Sequence, residues 1–291
     1  MTEEMKRKWL RSKFPIALLF LAPSLIGFTI FYLVPFIVGF YYSLMDSPTN
    51  GSFVGLDNYR QLLQSASFRK AASNTAIFTL TGVPLVMAIS LGLALMLNRT
   101  LPLRNWLRAA YVMPLVVPVA SIIVVWQLWF DMQGAINAIW TSWGNTPIDW
   151  MNTSWARAVV MLIYLWKTIG YNMILFLAGL QNIPDEYYEA ASLDGAGPIR
   201  KFISITLVCL TPTNFFVLIM SIISSFKVFR ETYLIAGDYP HESIYMLQHY
   251  MNNMFQALDY QKLTAASFLM ASAIVIIVTI LFRFERKFHM N

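Results

Sequence analysis

The chain has 291 residues, of which 57% are hydrophobic and only 12% are charged. A soluble domain of this size normally carries about a quarter charged residues. The chain therefore has too few polar residues to cover the surface of a water-soluble enzyme. The high hydrophobic fraction and the low charged fraction also exclude a disordered chain. A single cysteine, Cys209, excludes a disulfide framework and a multi-cysteine metal site. The composition predicts a membrane protein that crosses the bilayer several times.

Six segments are long and apolar enough to cross a membrane as helices. A helix rises about 1.5 Å per residue, so a hydrocarbon core of about 30 Å needs about 20 apolar residues. Five charge-free runs meet this length, and a sixth is interrupted by Lys167 alone. The predicted spans are residues 14–45, 71–98, 109–130, 158–180, 203–227 and 263–282.

The six spans predict a single membrane domain at residues 14–284, between a basic segment at 1–13 and a short tail at 285–291. The first apolar run is too long for a signal peptide, and no small-residue cleavage site follows it. We therefore expect a retained helix at the N-terminus.

The basic residues predict the orientation of the spans. If the N-terminus is cytoplasmic, the segments on that side hold 13 of the 21 basic residues and 7 acidic residues, which gives a net charge of +6. The rest of the chain carries equal numbers of both signs. Because cytoplasmic loops are enriched in Lys and Arg, both termini are predicted to be cytoplasmic. The positive charge thus follows membrane topology and gives no reason to expect a nucleic-acid partner.

The loop at residues 181–202, between the fourth and fifth predicted spans, is unusually acidic. Proline and two acids at 184–186 predict the start of a helix, and the sequence GAGP at 195–198 predicts its sharp end. The alanines at 190–191 form a small-residue face that allows another surface to approach, and Glu189 can pair with a basic residue there. An ordinary solvated connector is the alternative interpretation.

The same loop resembles the signature of the permease subunits of binding-protein-dependent, ATP-driven importers. That signature is EAA, three residues, Gly, nine residues and then Ile-x-Leu-Pro. It occurs here at residues 189–191, Gly195, Ile205 and Leu207, with Val208 in place of the final proline and Pro212 four residues further on. The segments APSLIGF (22–28), FVGLDNY (53–59) and LAGLQNIPDEYYEAASLDGA (177–196) resemble the carbohydrate-importer branch. The order of features is similar to the first permease of a maltose or glycerol-phosphate type pair.

The resemblance implies an all-α polytopic membrane protein with the type I ABC importer transmembrane fold. The loop helix would couple this chain to an ATPase, through Glu186, Tyr188, Glu189, Ala190, Ala191, Asp194, Gly195 and Ala196. The implied partners are a second, homologous permease in a heterodimer, two ATP-binding subunits, an extracytoplasmic solute-binding protein, membrane lipid and a sugar. The implied location is the cytoplasmic membrane of a bacterium or archaeon.

No cofactor is expected on this chain itself. ATP and Mg²⁺ would be bound by the partner ATPase, because the sequence contains no GxxxxGK[ST] loop.

Lys167 is the single charge within an otherwise apolar span, and such a residue is a candidate functional residue. Tyr164, Thr168 and Tyr171 lie on its helical face, so the face offers aromatic rings for the C–H surfaces of a sugar and polar groups for its hydroxyls. Snorkelling of Lys167 to the membrane interface is the alternative. The predicted substrate path consists of Tyr164, Trp166, Lys167, Thr168, Tyr171, Ser221, Ser224, Ser225 and Lys227, although membrane serines also serve helix packing.

The charges near this path suggest an acidic sugar such as a uronide. Lys167, Lys227 and Arg230 could bind its anionic group, unless Arg230 simply pairs with Glu231. A gradient-driven secondary transporter or channel is the main alternative function. It would need buried carboxylates to couple transport to protons or sodium ions, whereas all acids of this chain are expected in loops or at span edges. An intramembrane enzyme would need a catalytic constellation that the spans do not offer.

Overall fold

The computed structural model describes residues 3–47, 50–99 and 102–289, with side chains from Ile16 to Glu285. Within these ranges the regular structure is helical, apart from one isolated bridge between Met45 and Phe53. The α-helices are α1 (Glu3–Phe28), α2 (Val34–Ser43), α3 (Asp57–Gln64), α4 (Ala66–Leu97), α5 (Arg104–Val116), α6 (Val119–Phe130), α7 (Ala135–Ser142), α8 (Ala156–Gln181), α9 (Asp185–Leu193), α10 (Pro198–Lys201), α11 (Leu207–Cys209), α12 (Thr211–Phe226), α13 (Phe229–Ala236), α14 (Leu247–Gln256) and α15 (Tyr260–His289). Two π-helical turns, Thr29–Leu33 and Phe202–Thr206, and a 3-10 turn, Glu242–Ile244, complete the set.

Six helical segments of the described chain are long and apolar enough to cross a membrane. They are Ile16–Ser43, Ala66–Leu97, Val119–Ser142, Ala156–Gln181, Thr211–Ala236 and Tyr260–Glu285. The prediction of an all-α protein with six spans is therefore confirmed. The two predicted terminal segments, 1–13 and 285–291, lie largely outside the described side chains.

Two of the charge-free runs are broken helices in the structure. The run at 109–130 is divided between α5 and α6, because Val117 takes an extended conformation (ψ 128°) before Pro118. A residue that precedes proline is disfavoured in the helical region. The predicted span at 203–227, whose charge-free run ends at Phe226, begins with the π turn, and α12 starts only at Thr211, with Pro212 in its first turn. Absence of charge located these segments but did not reveal the breaks.

Helix α8 lies at the centre of the bundle and packs against α4, α5 and α12. Towards its C-terminal end, Met173, Phe176 and Leu177 pack with residues of α4 and α12. Towards its N-terminal end, Val160 and Tyr164 pack against Phe78 and Val86 of α4, among other residues. The first span is peripheral, and α2 meets α15 through the rings of Phe36 and Phe40 on Phe268. The central position of α8 matters because it carries Lys167.

Two glycines allow neighbouring segments to approach α8 closely. A Cβ at Gly170 would lie 1.8 Å from the backbone oxygen of Tyr111 in α5. A Cβ at Gly179 would lie 2.5 Å from Oγ1 of Thr213 in α12. The α5–α8 contact therefore depends on a backbone surface that only glycine provides.

Overpacking a protein core typically costs roughly 1–3 kcal/mol. We expect Gly170→Ala to destabilise the bundle by at least this amount, because the backbone oxygen of Tyr111 cannot move aside as a side chain does. The measurement is the apparent melting temperature of the purified protein in detergent. Gly92→Ala in α4 is the matched control, since no described atom outside the adjoining backbone of α4 lies within 4 Å of its Cβ position. Equal melting temperatures for the two variants would contradict this account of the contact.

Candidate functional site

A cavity of about 190 Å³ lies beside the middle of α8. It is lined by Leu115, Tyr164, Lys167, Thr168, Tyr171, Ser224, Lys227, Val228 and Glu231. Six of the nine residues predicted for the substrate path are in this lining: Tyr164, Lys167, Thr168, Tyr171, Ser224 and Lys227. The structure therefore brings together most of a set that the sequence spreads over two spans.

A second cavity, of about 380 Å³, shares three lining residues with the first, namely Lys167, Lys227 and Glu231. Its lining is completed by Phe229, Arg230 and Gln248. Two of these residues belong to α13 and one to α14, so the segment after α12 contributes to the site.

Three predicted path residues do not line either cavity. The ring of Trp166 packs against Trp126 at a centroid distance of 5.7 Å. Ser221 Oγ accepts a hydrogen bond of 2.8 Å from Asn172 Nδ2, and the hydroxyls of Ser225 and Thr79 are 2.8 Å apart. In the structure these two serines join helices, as the packing alternative described.

Lys167 forms an ion pair with Glu231 of α13. Glu231 is 5% exposed and lies inside the fifth candidate span. The expectation that all acids lie in loops or at span edges is therefore wrong. The pairing of Arg230 with Glu231 is also not formed, because consecutive residues on a helix point in different directions and α13 presents Glu231 to α8.

Tyr164 and Asn172 connect α8 to α12 on either side of this ion pair. The hydroxyl of Tyr164 donates a hydrogen bond of 3.1 Å to the carbonyl of Ser221, so this residue offers the cavity its ring rather than its hydroxyl. Asn172 is fully buried, and its Oδ1 has no partner among the described residues. Asn172 was not among the predicted site residues, although an amide within an apolar helix is a signal for an interhelical hydrogen bond.

A polar clamp fixes the segment that follows α13. Arg157, in the first turn of α8, donates to the carbonyl of Ser243 at 3.1 Å and to Oδ1 of Asn74 at 3.0 Å. Asn74 in turn donates to the carbonyls of Glu242 and Tyr245. The clamp therefore holds the 3-10 turn against α4 and α8. Arg157 was also missed, and its only signal was a charge at the start of a span.

His249 of α14 is fully buried beneath this segment. Its ring lies 4.8 Å from the ring of Phe229, measured between centroids. The backbone N–H of Met246 donates to Nδ1 at 3.4 Å, whereas Nε2 has no partner in the described chain. Burial lowers the pKa of His249 to about 4, so the ring is neutral at physiological pH.

The loop that resembles the importer signature contains an exposed helix. Helix α9 spans Asp185–Leu193, close to the predicted helix, and ends at Gly195 with φ +74°. The N–H groups of Gly195 and Ala196 donate to the carbonyls of Ser192 and Ala191, which forms a Schellman cap. A glycine is favoured here because other residues rarely adopt a positive φ.

Two side-chain contacts tie α9 to the segment before α12. The hydroxyls of Tyr188 and Thr206 are 2.9 Å apart, and Lys201 Nζ donates to Ser192 Oγ at 2.5 Å. By contrast, Leu193 is 91% exposed. The predicted coupling residues Glu186, Glu189 and Asp194 form no ion pair within the described chain and face solvent, together with Ala190 and Gly195. Ala191 and Ala196 are half-buried.

Removal of the charge on Lys167 should destabilise the protein more than removal of the charge on Glu231. Lys167→Met leaves a buried carboxylate without a partner, which we expect to cost about 3 kcal/mol or more. Glu231→Gln leaves a lysine that is 33% exposed and can reach water in the cavity, so its cost should be smaller. The double variant should be more stable than Lys167→Met alone. Apparent melting temperatures of the four proteins would test this order, and strictly additive effects would contradict the pair.

His249 should make the folded state sensitive to acid. The unfolded chain binds a proton near pH 6.5, whereas folded His249 stays neutral until about pH 4. Its contribution is therefore complete above pH 6.5 and is lost as the pH falls towards 4, by at most about 3 kcal/mol. Melting temperatures between pH 7.5 and 4.5 should fall less steeply in His249→Phe than in the original protein. His241→Gln controls for loss of a histidine, and parallel curves for His249→Phe and the original protein would refute the prediction.

Comparison with known proteins identifies the family. The family described as "Binding-protein-dependent transport system inner membrane component" matches residues 68–289. The chain is 37% identical over 222 residues to the arabinooligosaccharides transport system permease protein AraP of Bacillus subtilis (strain 168), covering 75% of this chain and 71% of AraP. It is 33% identical over 252 residues to the sulfoquinovosyl glycerol transport system permease protein SmoG of Agrobacterium fabrum, covering 84% of this chain and 82% of SmoG.

Among solved structures, a chain of a bacterial ABC transporter involved in the import of the acidic polysaccharide alginate has the same fold. The TM-score is 0.84 at 22% sequence identity, and the match covers 97% of this chain and 99% of that chain. The six-span helical architecture is thus that of a type I ABC importer permease. The protein is a multi-pass membrane protein that belongs to the family of binding-protein-dependent transport permeases.

Proposed function

We propose that this chain forms half of the translocation path of an ATP-driven sugar importer. The observation that carries the proposal is the layout of α8, whose middle lines the cavity and whose C-terminal end leads into the exposed helix α9. Lys167 and Gln181 are 14 residues apart, which corresponds to about 21 Å along a helix. One helix therefore connects a polar cavity in the membrane to a surface that can receive a force.

The chemistry of the smaller cavity suits a sugar. The ring of Tyr164 lines the cavity together with Tyr171, and aromatic rings pack well against the C–H face of a pyranose. The paired Lys167 and Glu231, with Thr168 and Ser224, supply both donors and acceptors for hydroxyl groups. The names of AraP and SmoG, which refer to arabinooligosaccharides and sulfoquinovosyl glycerol, agree with a carbohydrate cargo.

Helix α9 is proposed to seat in a groove of an ATP-binding subunit. It offers an apolar contact at Leu193 and Tyr187, and unpaired acids that can meet basic residues. Its contacts to Thr206 and Lys201 join it to the segment before α12, so a push on α9 reaches α12 as well as α8. Closure of the ATPases would then rotate these helices as a body.

The remaining partners follow from the incompleteness of six helices as a pore. A second, related permease is proposed to complete the path, and two ATPase subunits would bind ATP and Mg²⁺. A binding protein would deliver the cargo from outside, in line with a solved alginate transporter in complex with its periplasmic protein. The distribution of basic residues supports cytoplasmic termini, with α9 on the cytoplasmic face of the cell membrane.

The α9 assignment can be tested by co-purification in mild detergent from the native cells. We expect the original chain to retain a second six-span permease and an ATPase, whereas Gly195→Glu should retain the permease and lose the ATPase. A side chain at φ +74° strains the cap of α9 and places a charge on its outer surface. ATP-driven sugar uptake should be lost in parallel.

Gly197→Ala is the matched control for this experiment. Gly197 has an ordinary φ of −72°, and no described atom lies within 4 Å of its Cβ position. Retention of the ATPase and normal uptake in Gly195→Glu would remove α9 from the proposal. Recovery of the original chain alone, folded and stable, would instead favour a gradient-driven transporter.

A further inference from the structure

The side chains that line the two cavities carry an unequal number of charges. Lys167, Lys227 and Arg230 are cationic, and Glu231 is the sole acid in either lining. The lining therefore has a net charge of +2. A net charge inside a membrane protein is costly unless water or an opposite charge approaches it, so the surplus cations of the lining are left for water or for an anionic ligand.

Glu231 already has a partner. It is almost completely buried and paired with Lys167, and separation of a buried pair leaves an uncompensated charge. Lys167 is therefore not available as the main anion receptor, contrary to the expectation drawn from the sequence. The neutral pair acts instead as a fixed source of one donor group and one acceptor group for hydroxyls.

Lys227 and Arg230 are the unsatisfied cations. Neither side chain makes a hydrogen bond or an ion pair with any residue that the structure describes, and both are exposed to the larger cavity. They stand three residues apart, on either side of the break between α12 and α13. Gln248 of α14, which has both an amide donor and an acceptor, lines the same cavity.

We propose that the cargo is a sugar with an anionic group, a carboxylate or a sulfonate, which Lys227 and Arg230 bind in the larger cavity. The hydroxyl-bearing ring lies in the smaller cavity, against Tyr164, Tyr171 and the Lys167–Glu231 pair. Charge selectivity thus resides in Lys227 and Arg230, and ring recognition resides in α8. The inference rests on the proposed function, since it assumes that these cavities belong to the sugar path.

The test compares two probes that differ at one carbon, C6, which is a carboxylate in glucuronate and a hydroxymethyl group in glucose. The permease pair with its ATPases is placed in phosphatidylcholine nanodiscs, and the binding of glucuronic acid and of glucose is measured by saturation-transfer NMR at equal ionic strength. We expect the original protein to bind glucuronate more tightly than glucose. In Lys227→Gln/Arg230→Gln the preference should fall on the order of tenfold, because two charge-assisted hydrogen bonds are lost, while glucose binding remains.

Lys167→Gln/Glu231→Gln is the matched control. It also removes two charged side chains, but it leaves the net charge of the lining unchanged. We expect it to weaken the binding of both probes and to keep the preference for glucuronate. Retained glucose binding in the first double variant shows that the protein is folded.

Three results with the two sugar probes would overturn the proposal, and they differ in what else they affect. Equal binding of the two probes by the original protein would remove the anionic cargo but leave the sugar importer intact. A preference that survives in Lys227→Gln/Arg230→Gln would remove these two residues from anion binding. Binding of neither probe would count against the sugar path itself.

A lipid headgroup offers the same anionic chemistry as an acidic cargo. Nanodiscs that contain phosphatidylglycerol distinguish the two sources. If Lys227 and Arg230 bind lipid phosphate, the original protein will retain phosphatidylglycerol through purification, the double variant will not, and no glucuronate preference will be seen in phosphatidylcholine. That result would overturn the cargo assignment in favour of a lipid site.

Discussion

Polar groups within a membrane bundle must find partners inside the protein, because the hydrocarbon offers none. In this chain the requirement is met along one face of α8. Lys167 pairs with Glu231, and Tyr164 and Asn172 both bond to Ser221 of α12. These contacts fix the rotation of α8 about its axis and bring α12 and α13 against it. The walls of the cavity are therefore formed by the helices that supply partners to the polar side chains of α8.

The cavity lies beside two breaks between consecutive helices, one between α5 and α6 and one between α12 and α13. Leu115, which lines the smaller cavity, is two residues before the break at Val117–Pro118. Lys227 and Phe229, which line the larger cavity, flank the break after α12. Broken helices are tolerated at membrane depth where they line a polar space, and transporters commonly bind their cargo beside them. The charges left over after the pairing on α8 are found at the second of these breaks.

The sequence predicted the number of spans and the α9 helix, and it grouped six residues that the structure places in one cavity lining, because apolar length, turn residues and helical spacing are local properties. It did not predict the partner of Lys167, because that depends on the way α13 packs against α8. It likewise placed Ser221 and Ser225 in the path, since spacing cannot distinguish a serine that lines a cavity from one that joins two helices. Glu231 shows the limit most clearly: its position suggested a loop, and only packing buries it.

The glycines of α8 bear on how a movement of α9 would reach the cavity. A glycine within a membrane helix can serve as a hinge, but Gly170 and Gly179 are both covered, by the backbone of Tyr111 and by Thr213. They therefore join α8 to α5 and α12 rather than loosen it. Between α9 and Lys167 the described chain leaves the helix only at residues 182–184, and the contact of Tyr188 with Thr206 ties α9 to the segment before α12. Under the proposed function, α5, α8 and the base of α12 would therefore move together, and the cavity would change its access by rotating as a unit and not by the bending of one helix.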